Sequence, residues 1–94
     1  MKIQEAEKVL PVFARCKAEV NEISKFAANV ASSLISKNDT FAVRTTRRGK
    51  HDFSSIDINI AAGSAIQSAA GSSVNLSYPD KIVWIEIFHD DAFI

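Results

Sequence analysis

Four cations stand close together in an otherwise balanced chain: Arg44, Arg47, Arg48 and Lys50 fall within residues 40–51, a stretch with no acidic side chain. Residues 52–94 carry one basic and six acidic side chains and residues 1–39 carry six and five, so the formal net charge of zero is a cancellation between segments. A zero sum excludes a generally basic, nonspecific nucleic-acid binder. The local cluster argues for something more directed. Arginine offers a planar fork of donors that suits phosphate oxygens. The cluster also lies just ahead of Ser54 and Asp57, whose spacing resembles a capping box and predicts a helix start near Ser54 or Ser55. The first N–H groups of a helix and its dipole point a positive field at an anion. One reading is a phosphate backbone gripped by Arg44, Arg47, Arg48 and Lys50, with His51, Ser54 and Ser55 beside them. The other is a solvated loop whose charges balance the acidic C-terminal third, and the pattern alone leaves both open.

Other chemistries find little support. Cys16 is the single cysteine, which excludes an internal disulfide and a thiolate metal cage. Without a neighbouring base it reads as a small, partly buried thiol rather than a nucleophile. His51-Asp52 and His89-Asp90-Asp91 lack regular ligand spacing and read as solvated turns. Gly49, Gly63 and Gly71 are the only glycines, so no glycine-rich loop can wrap a nucleotide phosphate. No cofactor and no catalytic activity of its own are expected. Phe13, Phe26, Phe41 and Phe53 fit core or staple positions, and Trp84 reads as core. RNA, if it is the partner, would then be recognised by backbone and shape with little direct base reading.

These residues need a scaffold. At 94 residues and 10.3 kDa the chain is the size of one domain, and folding would remove roughly 64% of the extended chain's surface from water. Hydrophobic residues at 47% and charged residues at 23% exclude disorder, collagen and disulfide scaffolds. No run approaches the ~20 apolar residues of a membrane span, and the first residues lack the apolar stretch of a secretory signal. A cytoplasmic chain with no membrane partner is expected.

Val9 to Ala14 reads as a strand weakened by Pro11. From about 17 to 36, Val20, Ile23, Phe26, Ala27, Val30 and Leu34 recur every three or four residues and predict an amphipathic helix. Thr40 to Thr46 alternates as a strand. A second helix over about 54–70 should stop at Gly71, with Ile58, Ala62, Ala65, Ile66 and Ala69 as its main stripe. Ile56 and Ile60 lie on the opposite side and suggest a protein contact, such as an enzyme or a second copy in a homodimer. Ser73–Leu76 is a short strand candidate, 77–80 a turn, and Lys81–Phe88 a strand apolar enough to be covered on both faces. Ala92–Ile94 reads as the start of another. Helices alternating with strands imply an α/β fold, a mixed sheet with two main helices docked on it.

Several ordered blocks carry a family resemblance: Phe41-x-Val43-Arg44, Arg47-Arg48-Gly49, Phe53-Ser54-Ser55, Asn75-Leu76-x-x-Pro79-Asp80 and Trp84-x-Glu86. Over residues 17–94 the chain resembles a THUMP domain, an RNA-binding module of tRNA thiolation, methylation, pseudouridylation and acetylation systems. The resemblance implies a single THUMP domain over 1–94. Residues 1–16 are expected to form a leading strand segment, too short for the ferredoxin-like domain that often precedes THUMP domains. It also implies that Arg44, Arg47, Arg48 and Lys50 face tRNA. Within the family the chain looks most like small archaeal-type proteins similar to the adaptor of tRNA cytidine acetylation, which present tRNA to a separate acetyltransferase. The alternatives are a THUMP fragment of a thiolation or methylation enzyme, and a protein-interaction or dimerisation module.

Overall fold

The computed structural model describes residues 2–3, 8–9 and 12–94. Two short strands, β1 (Lys2–Ile3) and β2 (Lys8–Val9), pair antiparallel with each other. The rest is one α/β unit: β3 (Arg15–Lys17), α1 (Val20–Leu34), β4 (Thr40–Arg48), α2 (Ser55–Ala70), β5 (Ser73–Val74), β6 (Lys81–Phe88) and β7 (Asp91–Phe93). The five strands β3 to β7 form one mixed sheet in the order β3-β7-β6-β4-β5. β4 runs parallel to β5 and β6, while β7 is antiparallel to β6 and β3.

Both helices pack on the same side of this sheet. Ile23, Ala27 and Ala31, each four residues apart on α1, join Ile58, Ala62 and Ile66 of α2 in one buried cluster with Phe41, Val43, Ile85, Ile87 and Ala92. The strand residues in that cluster alternate along β4 and β6, as one side of a pleat must. Alanines at the contacts let the helix backbones approach closely. α2 begins and ends as its sequence predicts: Ser54 and Asp57 form a complete capping box, and Gly71 closes the helix in the left-handed region at φ 72°. α1 lacks a side-chain N-cap. Its last turn is held from β6, where the Lys81 ammonium donates to the Leu34 carbonyl at 3.2 Å and pairs with Asp39 at 2.9 Å. That is where a cation best complements a helix dipole.

Several expectations change: α1 begins at Val20, with Lys17 in β3, and Phe13, Leu34 and Ala69, expected on core-facing positions, are exposed. The first sheet strand is Arg15–Lys17 rather than Val9–Ala14. Val9 belongs to β2, Leu10 and Pro11 lie outside the described residues, and Val12–Ala14 lead into β3 without being strand. The strand at Ser73 stops at Val74 because the Asn75 carboxamide accepts from the Ser77 and Tyr78 N–H groups and turns the chain. Most consequential, β6 is covered on one face only. Ile85 and Ile87 are buried under the helices, whereas Ile82, Trp84 and Phe88 are 39%, 46% and 53% exposed. Trp84 is therefore not a core residue. Two helices can cover one face of a five-stranded sheet, and no third element is present among the described residues to cover the other.

Candidate nucleic-acid interface

β4 continues to Arg48, so Arg44 lies within the strand and Arg47 and Arg48 form its last turn of pleat. Alternation then separates the cations. Arg44 stands beside Trp84 and Arg48 beside Phe88 on the open face, while Arg47 stands beside buried Ile87 on the helix side. Lys50 follows in the turn. All four are exposed. None forms an ion pair among the described residues, whose two salt bridges are Arg15 with Asp91 and Lys81 with Asp39. The cations thus wrap around the C-terminal end of β4 instead of sharing one plane.

The turn that carries them is tightly shaped. Gly49 sits at φ 105°, a region that side-chain-bearing residues rarely enter. The His89 N–H donates to the Arg48 carbonyl at 2.8 Å, and His51 Nε2 lies 2.6 Å from the His89 carbonyl. A carbonyl only accepts, so the proton of His51 belongs on Nε2, and Nδ1 accepts from Arg47 Nη1 at 3.1 Å. The His51 ring also stacks on Phe53 at 5.0 Å. The two histidines expected as separate solvated turns are brought together in one clasp between the β4–α2 and β6–β7 turns. Its effect is to hold Arg47 and the backbone around Lys50 in place.

Ser54 and Ser55 open α2 behind this turn. The Ser54 hydroxyl accepts from the Asp57 N–H at 3.1 Å, and the Asp57 carboxylate accepts from the Ser54 N–H at 2.8 Å. A protein carboxylate therefore already occupies the helix start, leaving the Ser55 and Ile56 N–H groups without an acceptor within the described fold. Any phosphate at this end depends on the arginines and Lys50 more than on the helix dipole.

Two cations escaped the sequence reading. Arg15 and Lys17 project from β3 onto the open face, opposite Phe93 and Asp91 of β7. The alternation Arg15-Cys16-Lys17 was their signal, obscured by the strand expected further upstream. Ile56 and Ile60 are each 67% exposed and line a shallow apolar groove with Val74 and Leu76 at the β5 edge. Cys16 faces the helices, and burial, followed by the negative charge of Glu22, raises its thiol pKa. Less thiolate at neutral pH means that iodoacetamide should label the native chain slowly and the denatured chain readily, as mass spectrometry would read. Rapid labelling of the folded protein would restore Cys16 as a nucleophile. Among the described residues no three His, Cys, Asp or Glu side chains converge on a metal position, and no helix is long and apolar enough to cross a membrane.

Comparison with known proteins converges on one family. The THUMP domain pattern matches residues 17–94. The chain is 39% identical over 94 residues to protein MJ0421 of Methanocaldococcus jannaschii, covering all of this chain and 26% of that one. A probable tRNA sulfurtransferase of the same organism is 37% identical over 89 residues, 89% of this chain and 23% of the relative. The tRNA (guanine(6)-N2)-methyltransferase of Archaeoglobus fulgidus is 32% identical over 95 residues, 94% of this chain and 24% of the relative. The chain thus spans about a quarter of the length of these relatives. In fold it matches the crystal structure of PH1313 from Pyrococcus horikoshii, with a TM-score of 0.72 at 21% identity over 85% of this chain and 28% of that one. The blocks around Arg44 to Ser55 and Asn75 to Glu86 lie within the matched stretch, and the chain belongs to the THUMP domain family, with relatives among tRNA-modifying enzymes.

Proposed function

We propose that this domain binds tRNA through the C-terminal end of β4 and positions it for a modifying enzyme, without performing the chemistry itself. The observation that carries this reading is the set of four exposed cations, Arg44, Arg47, Arg48 and Lys50, with no carboxylate partner among the described residues, around a turn clasped by His51 and His89. Cations without a carboxylate partner retain their charge for an external anion, and Arg47, already held by His51 and the Gly49 carbonyl, loses less conformational freedom in meeting it. Relatives that are a sulfurtransferase and a methyltransferase support a place beside thiolation or methylation chemistry. Service as an adaptor to a cytidine acetyltransferase rests on the resemblance alone.

An Arg47→Ala/Lys50→Ala chain is expected to bind total tRNA more weakly than the parent. Each phosphate contact contributes a log–log salt slope of roughly −0.9 on duplex nucleic acid, so losing two should flatten the slope by about 1 to 2. Filter-binding titrations at several salt concentrations, with thermal melts to check the fold, would measure both. Unchanged affinity and slope would remove this turn from the RNA interface.

A further inference from the structure

The open face of the sheet has a pattern of its own. Across the register, Lys17, Asp91, Phe88 and Arg48 form one row, and Arg15, Phe93, Glu86 and Thr46 the next. Trp84 and Arg44 follow one pleat further along. The central strands β6 and β7 therefore carry the aromatic rings, and the flanking strands β3 and β4 carry Arg15, Lys17, Arg44 and Arg48 on either side. Four cations face two carboxylates, Glu86 and Asp91, and Asp91 is paired with Arg15. Phe93 is covered by the Arg15 guanidinium at 5.6 Å. Trp84 and Phe88 remain as exposed rings four residues apart, roughly 13 Å along the strand. The Trp84 indole N–H has no acceptor among the described residues.

We propose, building on the RNA-binding reading above, that this face is a stacking platform for single-stranded RNA, with bases on Trp84 and Phe88 and the backbone along Arg44 and Arg48. Single-stranded binders combine a cationic track with rings that meet the π-faces of successive bases, and unpaired segments are where RNA offers its bases to proteins. Charge complementarity selects this occupant over another protein domain. A protein partner would have to bring a carboxylate to each of Arg44 and Arg48, since desolvating a cation without a partner is costly, whereas an RNA backbone carries an anion at every nucleotide. The platform adjoins the turn of Lys50 through Arg48, so one RNA can hold its duplex phosphates at the turn and run a single strand across the sheet.

Trp84 is the only tryptophan in the chain, which makes its fluorescence a local probe. Titration with an unstructured oligouridylate should quench Trp84, and a blunt-ended RNA duplex should not. By anisotropy of labelled oligouridylate, Trp84→Leu should weaken binding about tenfold or more, while Trp84→Phe, which keeps a stacking face, should stay within a few-fold of the parent. Phe88→Leu and Arg44→Ala read the same surface if Trp84→Leu fails to fold. Absence of quenching, together with unchanged oligouridylate affinity in the folded variants, would overturn the platform and leave this face to a protein partner. In that outcome, tRNA binding that remains sensitive to Arg47→Ala/Lys50→Ala would show that the turn still acts. Loss of all RNA binding by the parent chain would defeat both readings together.

Discussion

Phe41→Ala should lose about 3–5 kcal/mol of folding stability, which is a large share of the roughly 5–15 kcal/mol available to a small domain. Phe41 is fully buried, the largest side chain so placed, and sits in the cluster that joins α1 and α2 to β4 and β6. Its removal leaves a void that neither helix can collapse into without losing the contacts of Ile23, Ile58 and Ile66. A urea melt would measure the change through its midpoint at constant slope. The contrast is Trp84→Leu, on a larger aromatic that lies on the open face. It should cost under about 1 kcal/mol, as substitutions away from the core do. Equal losses at the two positions would mean that the open face is packed in solution.

Gly49→Ala is the second large effect, and it acts on the site as well as on stability. A methyl group at Gly49 would stand 2.8 Å from His89 Nδ1 and 3.2 Å from the His89 Cα, at a backbone φ of 105°. The ring can swing aside, but the backbone contact and the positive φ cannot both be relieved without moving the turn. The expected cost is about 1–3 kcal/mol from backbone strain, accompanied by weaker tRNA binding as the His51–His89 clasp shifts. Gly71→Ala provides the comparison. Gly71 has φ 72°, but its added Cβ would meet only the Lys37 Cβ at 3.5 Å, so it should destabilise less and leave tRNA affinity intact. Thermal melts and filter binding on the two variants separate strain from the clash; identical behaviour would show that His89 does not constrain the turn.

Local chemistry was legible wherever its partners were near in sequence. The start of α2 could be read because Ser54 and Asp57 are three residues apart, and its end because Gly71 can take the left-handed conformation. Ile23 and Ala27 of the α1 stripe and the limits of β6 followed from hydrophobic spacing, whereas Leu34 proves exposed and Ala31, outside the expected stripe, is buried. The basic cluster was equally plain, since four cations within residues 40–51 need no fold to be counted. Legibility failed where the answer depended on what lay across the sheet. Ile82, Trp84 and Phe88 are apolar on the open face just as Val83, Ile85 and Ile87 are apolar on the covered one, so β6 read as buried twice. Glu86 was the single polar mark of the open side. His51 and His89, 38 residues apart, gave no sign that they would share a hydrogen bond.

From its sequence alone this chain is an α/β domain with two helices, a basic segment ahead of the second, and the ordered blocks of the THUMP family. Periodicity, capping and charge are short-range properties, written into neighbouring residues. The tertiary structure decided which face of each strand met the helices, and therefore how the cations are distributed: Arg44 and Arg48 beside exposed rings, Arg47 in the clasped turn, Arg15 and Lys17 on the far flank. The physical reason is the two-residue period of a strand. It assigns alternate residues to opposite faces, but only helix packing on one side determines which of those faces is left to solvent and to a ligand.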